Sequence, residues 1–425
     1  LMAALLIISF FVIILIGAPI AVALGGSTLI TLVQSNMSIT MMPFNVYSSI
    51  AKFLLLAIPF FVLAGNIMDQ VGISEKLISL ARVLVGHIRG GMAIVCVGVS
   101  CFFAAISGSG PATVAALGMI VIPAMVNVGY ERGTASALMA TAGSIGLIIP
   151  PSISYVLYSS ITGVSTGKLF IAGFIPGLLM GIALVIATML VTKRQNLAVL
   201  PKSSRREVWV AFKDAIWGLM MPVIILGGIY GGIFTATEAA AVSAVYGLLV
   251  GVFVYKTLTI KTFYQILVKS VQQTGAILLT VAMASLFSYV VTIAGISTKA
   301  INFLTAVSGG NTVIFLIIAN IILLIAGCFI DGNSGFYIFT PLLYPVARAL
   351  GYDTIAFGIV MTMNLAIGLV TPPVGLNLYV ASGVSNTPLK ETVRHVLPFV
   401  IASAIVLLLV TYIPSLSTWL PSFMK

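Results

Sequence analysis

The chain has 425 residues, of which 60% are hydrophobic and 7% charged, with a mean hydropathy of +1.21. Soluble domains carry about 25% charged residues, so a soluble globular fold is excluded and an all-α polytopic membrane protein is required. The net charge of +11 would suggest a nucleic-acid partner in a soluble protein; in a lipid bilayer it reads instead as topology, positive loops marking the cytoplasmic side.

Leu5–Leu32 reads as a long apolar helix interrupted at Gly17-Ala18-Pro19. Met2 is the only plausible initiator near the start, so the natural first residue is expected to differ from Leu1, and no cleavable signal is evident. A polar connection, Gln34–Asn45, leads to a second span ending near Asp69, and Glu75–Gly86 is amphipathic enough to lie at the interface. Met92–Ile106 then enters the membrane, breaks at Ser107–Thr113 and leaves through Val114–Val126. Only about 15 residues flank that break on each side, short of the roughly 20 a crossing needs. A re-entrant helical hairpin is predicted. Arg132–Ile149 is interrupted by Pro150-Pro151-Ser152 and resumes toward Gly163, and Lys168–Val191 is an ordinary span. Lys193, Arg194, Lys202, Arg205, Arg206 and Lys213 crowd the following loop, which is placed in the cytoplasm. Ile216–Tyr255 is long enough for two crossings meeting near Thr235–Glu238, and Thr257–Gln273 is amphipathic, with Lys261, Gln265 and Lys269 on its polar side.

From there the first half returns. At a shift of 222 positions Pro123 matches Pro345, Gly129-Tyr130 matches Gly351-Tyr352, and Glu131 faces Asp353. Ile145-Gly146-Leu147 matches Ile367-Gly368-Leu369, Pro150-Pro151 matches Pro372-Pro373, and Lys168 and Pro176 match Lys390 and Pro398. With small gaps, Ile106-Ser107-Gly108 aligns with Ile330-Asp331-Gly332 and Gly163-Val164-Ser165 with Gly383-Val384-Ser385. The chain divides into a first unit over 1–192, a basic connection over 193–222 and a second unit over 223–425. Each unit holds a hairpin break (107–113, 331–335) and a broken helix (150–152, 371–375). Equivalent loops carry opposite positive load: Gln34–Asn45 has no Lys or Arg, its counterpart has Lys256, Lys261 and Lys269, and the tail has only Lys425. The repeat is therefore predicted to be inverted.

Paired broken helices in inverted repeats point to a secondary transporter with its site near the midplane. Freed carbonyls and Ser or Thr hydroxyls suit a hard cation such as sodium, and half-helix N-termini suit an anion. Asp331 is the sharpest single residue, because a carboxylate at membrane depth is costly and by default functional; the plain alternative is a helix cap. Glu238 reads as a helix-terminal acid, Asp69 as a helix end near water, and His87 and His395 as interfacial. Cys96, Cys101 and Cys328, an odd number in apolar runs, argue against disulfides or zinc. No enzyme is written here. Ser109 lacks an intramembrane histidine, Asp331 lacks a second aspartate at depth, and there is neither an H-E-x-x-H nor a P-loop for zinc hydrolysis or ATP-driven transport. A channel with re-entrant loops stays open as an alternative, as does a stand-alone sodium–anion symporter.

Ser107-Gly108-Ser109-Gly110-Pro111-Ala112-Thr113, Ile149-Pro150-Pro151-Ser152, Thr237-Glu238-Ala239-Ala240-Ala241 and Thr371-Pro372-Pro373-Val374-Gly375 resemble the large membrane subunit of TRAP (tripartite ATP-independent periplasmic) transporters, over essentially the whole chain. The resemblance implies an elevator-type, sodium-coupled importer of organic acid anions in the bacterial inner membrane. It further implies a small four-helix membrane subunit and a soluble periplasmic binding protein as partners. Two sodium sites are implied where each hairpin tip meets a broken helix: Ser107 with Gly146 and Ile149, and Asp331 and Gly332 with Gly368 and Thr371. The substrate is expected between the tips, near Ser109, Ser154 and Asp331, with Asn333 and Asn377 as further candidates. An acidic group beside an anionic substrate favours a polyhydroxylated acid, and the resemblance leans to the sialic-acid type, with C4-dicarboxylates as related cargo.

Overall fold

Glycine and proline cut the apolar runs into helices, and the cuts decide the architecture. The computed structural model describes residues 2–193 and 195–424; Arg194 and Lys425, both used above in weighing charge, lie outside the described residues. The helices are α1 (Met2–Leu15), α2 (Ile20–Gln34), α3 (Met41–Ile50), α4 (Ala57–Gln70), α5 (Ile73–Val85), α6 (Gly91–Ser107), α7 (Gly110–Asn127), α8 (Arg132–Ser144), α9 (Ile153–Thr162) and α10 (Thr166–Val191). They continue as α11 (Arg205–Tyr230), α12 (Ala236–Leu249), α13 (Ile260–Ile293), α14 (Ile296–Ser308), α15 (Thr312–Gly327), α16 (Gly332–Ala349), α17 (Thr354–Gly368), α18 (Leu376–Ser385) and α19 (Leu389–Tyr412). Seven helical segments among the described residues are long and apolar enough to cross a membrane.

The run α5 to α10 recurs as α14 to α19. Their lengths are 13, 17, 18, 13, 10 and 26 residues in the first run and 13, 16, 18, 15, 10 and 24 in the second. Contacts between the runs are reciprocal: α7 packs on α18 and α16 on α9, while α8 packs on α19 and α17 on α10. Such exchange is what a two-fold relation produces. The polarity follows from side chains at the helix ends. Glu131, just before α8, lies 3.1 Å from His395 near the start of α19, and Val128 O accepts from Ala198 N beyond the end of α10. At the other face Tyr158 near the end of α9 donates to Thr354 O, and Tyr352 donates to Thr411 O near the end of α19. The end of α10 is thus level with the start of α19. The repeat is inverted.

Several expectations are refined. Leu5–Leu32 is not one interrupted helix: a Cβ on Gly26 would lie 3.2 Å from the Ile13 side chain, which requires α1 and α2 to fold back on each other at Gly17. The amphipathic stretch Thr257–Gln273 runs, from Ile260, into the first half of α13, 34 residues long. Of the basic-loop residues, Arg205, Arg206 and Lys213 belong to α11. Both gapped matches are displaced. Ser109 occupies the N-cap position of α7, without a side-chain bond, and Asp331 that of α16, so Asp331 is equivalent to Ser109, not Ser107. Gly163 ends α9 and Asn386 ends α18, both with positive φ, because the left-handed helix stop accepts Gly or Asn. Glu238 completes a capping box with Thr235, and the three cysteines are unpaired.

Tyr155 anchors the first broken helix. It is wholly buried, and its hydroxyl donates to Ile148 O at 2.8 Å, inside the unwound stretch. Removing that hydroxyl strands a buried carbonyl, which costs about 1–3 kcal/mol. Tyr155→Phe is therefore expected to lower the thermal unfolding midpoint of the detergent-solubilised protein without changing its helical content, as read by circular dichroism.

Candidate functional site

The first hairpin break is shorter than the sequence suggests, and the second lies earlier than the expected 331–335, because residues 332–335 form the first turn of α16. Between α6 and α7 only Gly108 and Ser109 lie outside helix, since Pro111 fits the first helical turn, where its missing N–H costs nothing. The second hairpin unwinds over residues 328–331. The broken helices unwind over 148–152, after a short 3-10 turn, and over 369–375.

These breaks meet. A cavity of about 200 Å³ is lined by Gly108 to Pro111 from the first tip and Asp331 to Asn333 from the second. Leu147, Ile153 and Ser154 of the first broken helix, Leu369 and Leu376 of the second, and Ile277 of α13 complete its wall. Gly110, Ile153, Gly332 and Leu376 are the first residues of α7, α9, α16 and α18. Four helix N-termini therefore line one space, each with its positive dipole end toward it. Their first-turn N–H groups lack intrahelical partners, and some of them are paired locally, Asn377 N donating to Leu369 O. Three of them lack a side-chain cap. The fourth is filled by the protein itself: Asp331 Oδ2 accepts from Asn333 N and Ser334 N at 3.1 and 3.2 Å, and Oδ1 accepts from Ser334 Oγ at 2.6 Å. A carboxylate offers about four acceptor positions, so three bonds leave one for a ligand. Capping and site-lining, alternatives in the sequence, are combined in this residue.

At the first tip oxygens gather. Ser107 Oγ lies 3.0 Å from Thr113 Oγ1, and both hydroxyls donate to Ser109 O, at 3.3 and 2.8 Å. Gly146 faces them; a Cβ there would lie 3.3 Å from Ser109 O and from Thr113 Oγ1, so glycine is what allows the close approach. In the second unit the corresponding approach is backbone to backbone, a Cβ on Gly327 lying 3.0 Å from Gly368 Cα.

A sequence model of the family described as "Tripartite ATP-independent periplasmic transporter, DctM component" matches residues 7–416. The chain belongs to this family. The C4-dicarboxylate TRAP transporter large permease protein DctM of Pseudomonas aeruginosa is 43% identical over 95% of this chain and 94% of its own. The isethionate TRAP transporter permease protein DctMQ of Oleidesulfovibrio alaskensis is 41% identical over 96% of this chain and 64% of its own. The sialic acid large permease protein SiaM of Vibrio cholerae is 38% identical over 95% of each. The YdaH transporter structure from Alcanivorax borkumensis shares the fold, with a TM-score of 0.62 and 15% identity over 88% of this chain and 87% of that one. This TRAP large permease is thus a multi-pass protein of the bacterial inner membrane.

In the permease, four of the five residues expected at the substrate, Ser109, Ser154, Asp331 and Asn333, line the cavity. Ser154 is wholly buried and its hydroxyl has no protein partner among the described residues. Asn377 is elsewhere: its amide is buried, donates to Ala140 O on α8 and abuts Gly110, so it braces the second broken helix against the first unit. Of the residues expected around sodium, Ser107 and Gly146 belong to the oxygen cluster and Gly332 lines the cavity. Ile149 turns its side chain to Gly177 of α10, leaving its main chain for an ion, and Thr371 Oγ1 donates to Ile367 O, which leaves its oxygen lone pairs free. Sequence reasoning missed Thr113 as a cluster member and Leu147, Leu369 and Ile277 as cavity wall. Thr113 carried a signal, a hydroxyl one turn after a break; the apolar residues carried none.

Replacing Asp331 separates its two roles. Asp331→Ala removes a cap, costing about 0.5–2 kcal/mol, whereas Asp331→Asn keeps an acceptor oxygen. Thermal unfolding of the two variants should show a lower midpoint for Ala and a smaller change for Asn.

Proposed function

We propose that this TRAP permease imports an organic acid anion together with sodium, receiving the anion from a soluble periplasmic binding protein and working with a small four-helix membrane subunit. The observation that carries the proposal is the convergence of four helix N-termini and the Ser109 and Ser154 hydroxyls on one cavity, a donor-rich wall suited to an anion. The hydroxyl and carbonyl cluster of Ser107, Ser109 and Thr113 against Gly146 supplies the oxygen ligands a sodium ion takes. A second ion is assigned to Asp331, Gly332, Gly368 and Thr371. The inverted units, 1–192 and 223–425 joined through 193–222, support an elevator movement in which hairpins and broken helices travel together against α1–α4 and α11–α13. For cargo we favour a C4-dicarboxylate or similarly small acid. Relatives named for C4-dicarboxylate transport reach 43% identity against 38% for the sialic-acid permease.

The test is uptake of labelled succinate into proteoliposomes holding the permease and its small subunit, under an inward sodium gradient, with and without binding protein. Uptake is expected only with both. Uptake on sodium alone would indicate a stand-alone symporter, and flux with neither a channel. Asp331→Ala should abolish uptake while the protein stays inserted; normal uptake would remove Asp331 from the site. Ser109→Ala should raise KM about two- to tenfold, the equivalent of one hydrogen bond of about 0.5–1.5 kcal/mol.

A further inference from the structure

A cleft of about 600 Å³ continues from the central cavity and shares Ser109, Pro111, Ile153, Ile277, Asn333 and Leu376 with it. Its direction is fixed by the helices that form it. Helix α13 begins beside the end of α12, where Tyr255 donates to Asp214 O near the start of α11, and α11 follows the basic loop. Helix α7 runs from the cavity toward Val128, which is bonded to that same loop. The cleft therefore opens on the basic-loop side.

Its two walls differ in chemistry. The hairpin wall presents Ala112, Ala115, Ala116 and Met119; the α4–α13 wall presents Asn66, Asp69, Lys269 and Gln273. Ile277, Gln273 and Lys269 are spaced by four residues, so they form one stripe along α13, and eight residues of helix carry Lys269 about 12 Å from the cavity wall. The stripe is held rigidly: Asn66 Nδ2 donates to Ser270 Oγ at 2.9 Å and to Gln273 Oε1 at 2.8 Å, tying α4 to α13. That arrangement leaves the Gln273 amide N–H groups without a protein partner among the described residues. Lys269 is held loosely. Its ammonium lies 3.8 Å from Asp69, too far for a hydrogen bond, and its side chain is 55% exposed.

We propose that Lys269 and Gln273 form a release station for the transported anion, with Asp69 as the counter-charge that Lys269 keeps while the station is empty. This rests on the reading of the protein as an anion carrier. An anion leaving the cavity passes the Gln273 N–H groups, then draws Lys269 from Asp69, and departs as Asp69 reclaims the ammonium. The pair is long and its lysine exposed, which makes it weak, while Ser74 Oγ, 3.4 Å from Asp69 Oδ1, keeps a partner on the carboxylate when the ammonium leaves. An unpaired lysine would hold the anion, and an apolar wall would offer it nothing between cavity and water.

The experiment reads the charge of the passage without relying on the cargo. In a background of Cys96→Ala, Cys101→Ala and Cys328→Ala, Ser109→Cys is placed at the junction of cavity and cleft. The complex with its small subunit is treated from the basic-loop side with an anionic or a cationic methanethiosulfonate. Lys269→Gln should lower the anionic-to-cationic rate ratio about three- to tenfold at low salt, and Asp69→Asn should raise it, both effects shrinking at high salt. Lys269→Arg should keep the ratio. An unchanged ratio in Lys269→Gln, no rise in Asp69→Asn, or absence of reaction at Ser109→Cys would each overturn the station. Should Lys269→Gln fail to insert, the sign of the Asp69→Asn shift decides. Failure of succinate uptake bears on the cargo and leaves this readout intact.

Discussion

Hydrocarbon offers no partner to a free peptide group, and each one left unsatisfied there costs several kcal/mol. A chain this apolar can therefore interrupt a helix in mid-membrane only where other protein covers the break. Four interruptions in this protein solve the problem together. Each covers the others, and the space left between them is walled by the donors they free. The cavity is thus a consequence of how the breaks are sheltered, and its backbone donors come with it.

The two units meet that constraint with different residues. In the first tip, serine and threonine hydroxyls satisfy the Ser109 carbonyl and leave the α7 terminus uncapped. In the second, a carboxylate satisfies the α16 terminus and brings a negative charge to the same wall. Symmetry of backbone with asymmetry of side chain gives a site with a donor-rich end and an acceptor end.

How much of this was legible in the sequence depends on what kind of information each feature carries. The repeat, the hairpins and the broken helices were readable because Gly and Pro act locally, whatever surrounds them. The register between units was not fully readable. Ser107 looked like the partner of Asp331 by its neighbours, but helix capping, a three-dimensional role, pairs Asp331 with Ser109. The fold-back of α1 on α2 was missed because an apolar run says nothing about direction, and the amphipathic stretch over 257–273 did not reveal that its polar stripe faces a protein cleft, because only packing shows what a stripe faces. Asn377 was placed near the substrate by the family resemblance; only packing reveals that its amide points across to α8.

That crossing amide has a wider implication. Asn377 reaches from the second unit to Ala140 O in the first, α7 is bedded on α18, and α16 on α9. Each duplicated half thus finds the lid of its own apolar surface in the other. Each half also packs on itself, α7 on α8 and α15 on α17, but its hairpin and broken helix are closed over by the other half, so one half alone would leave part of its interrupted helices bare to lipid.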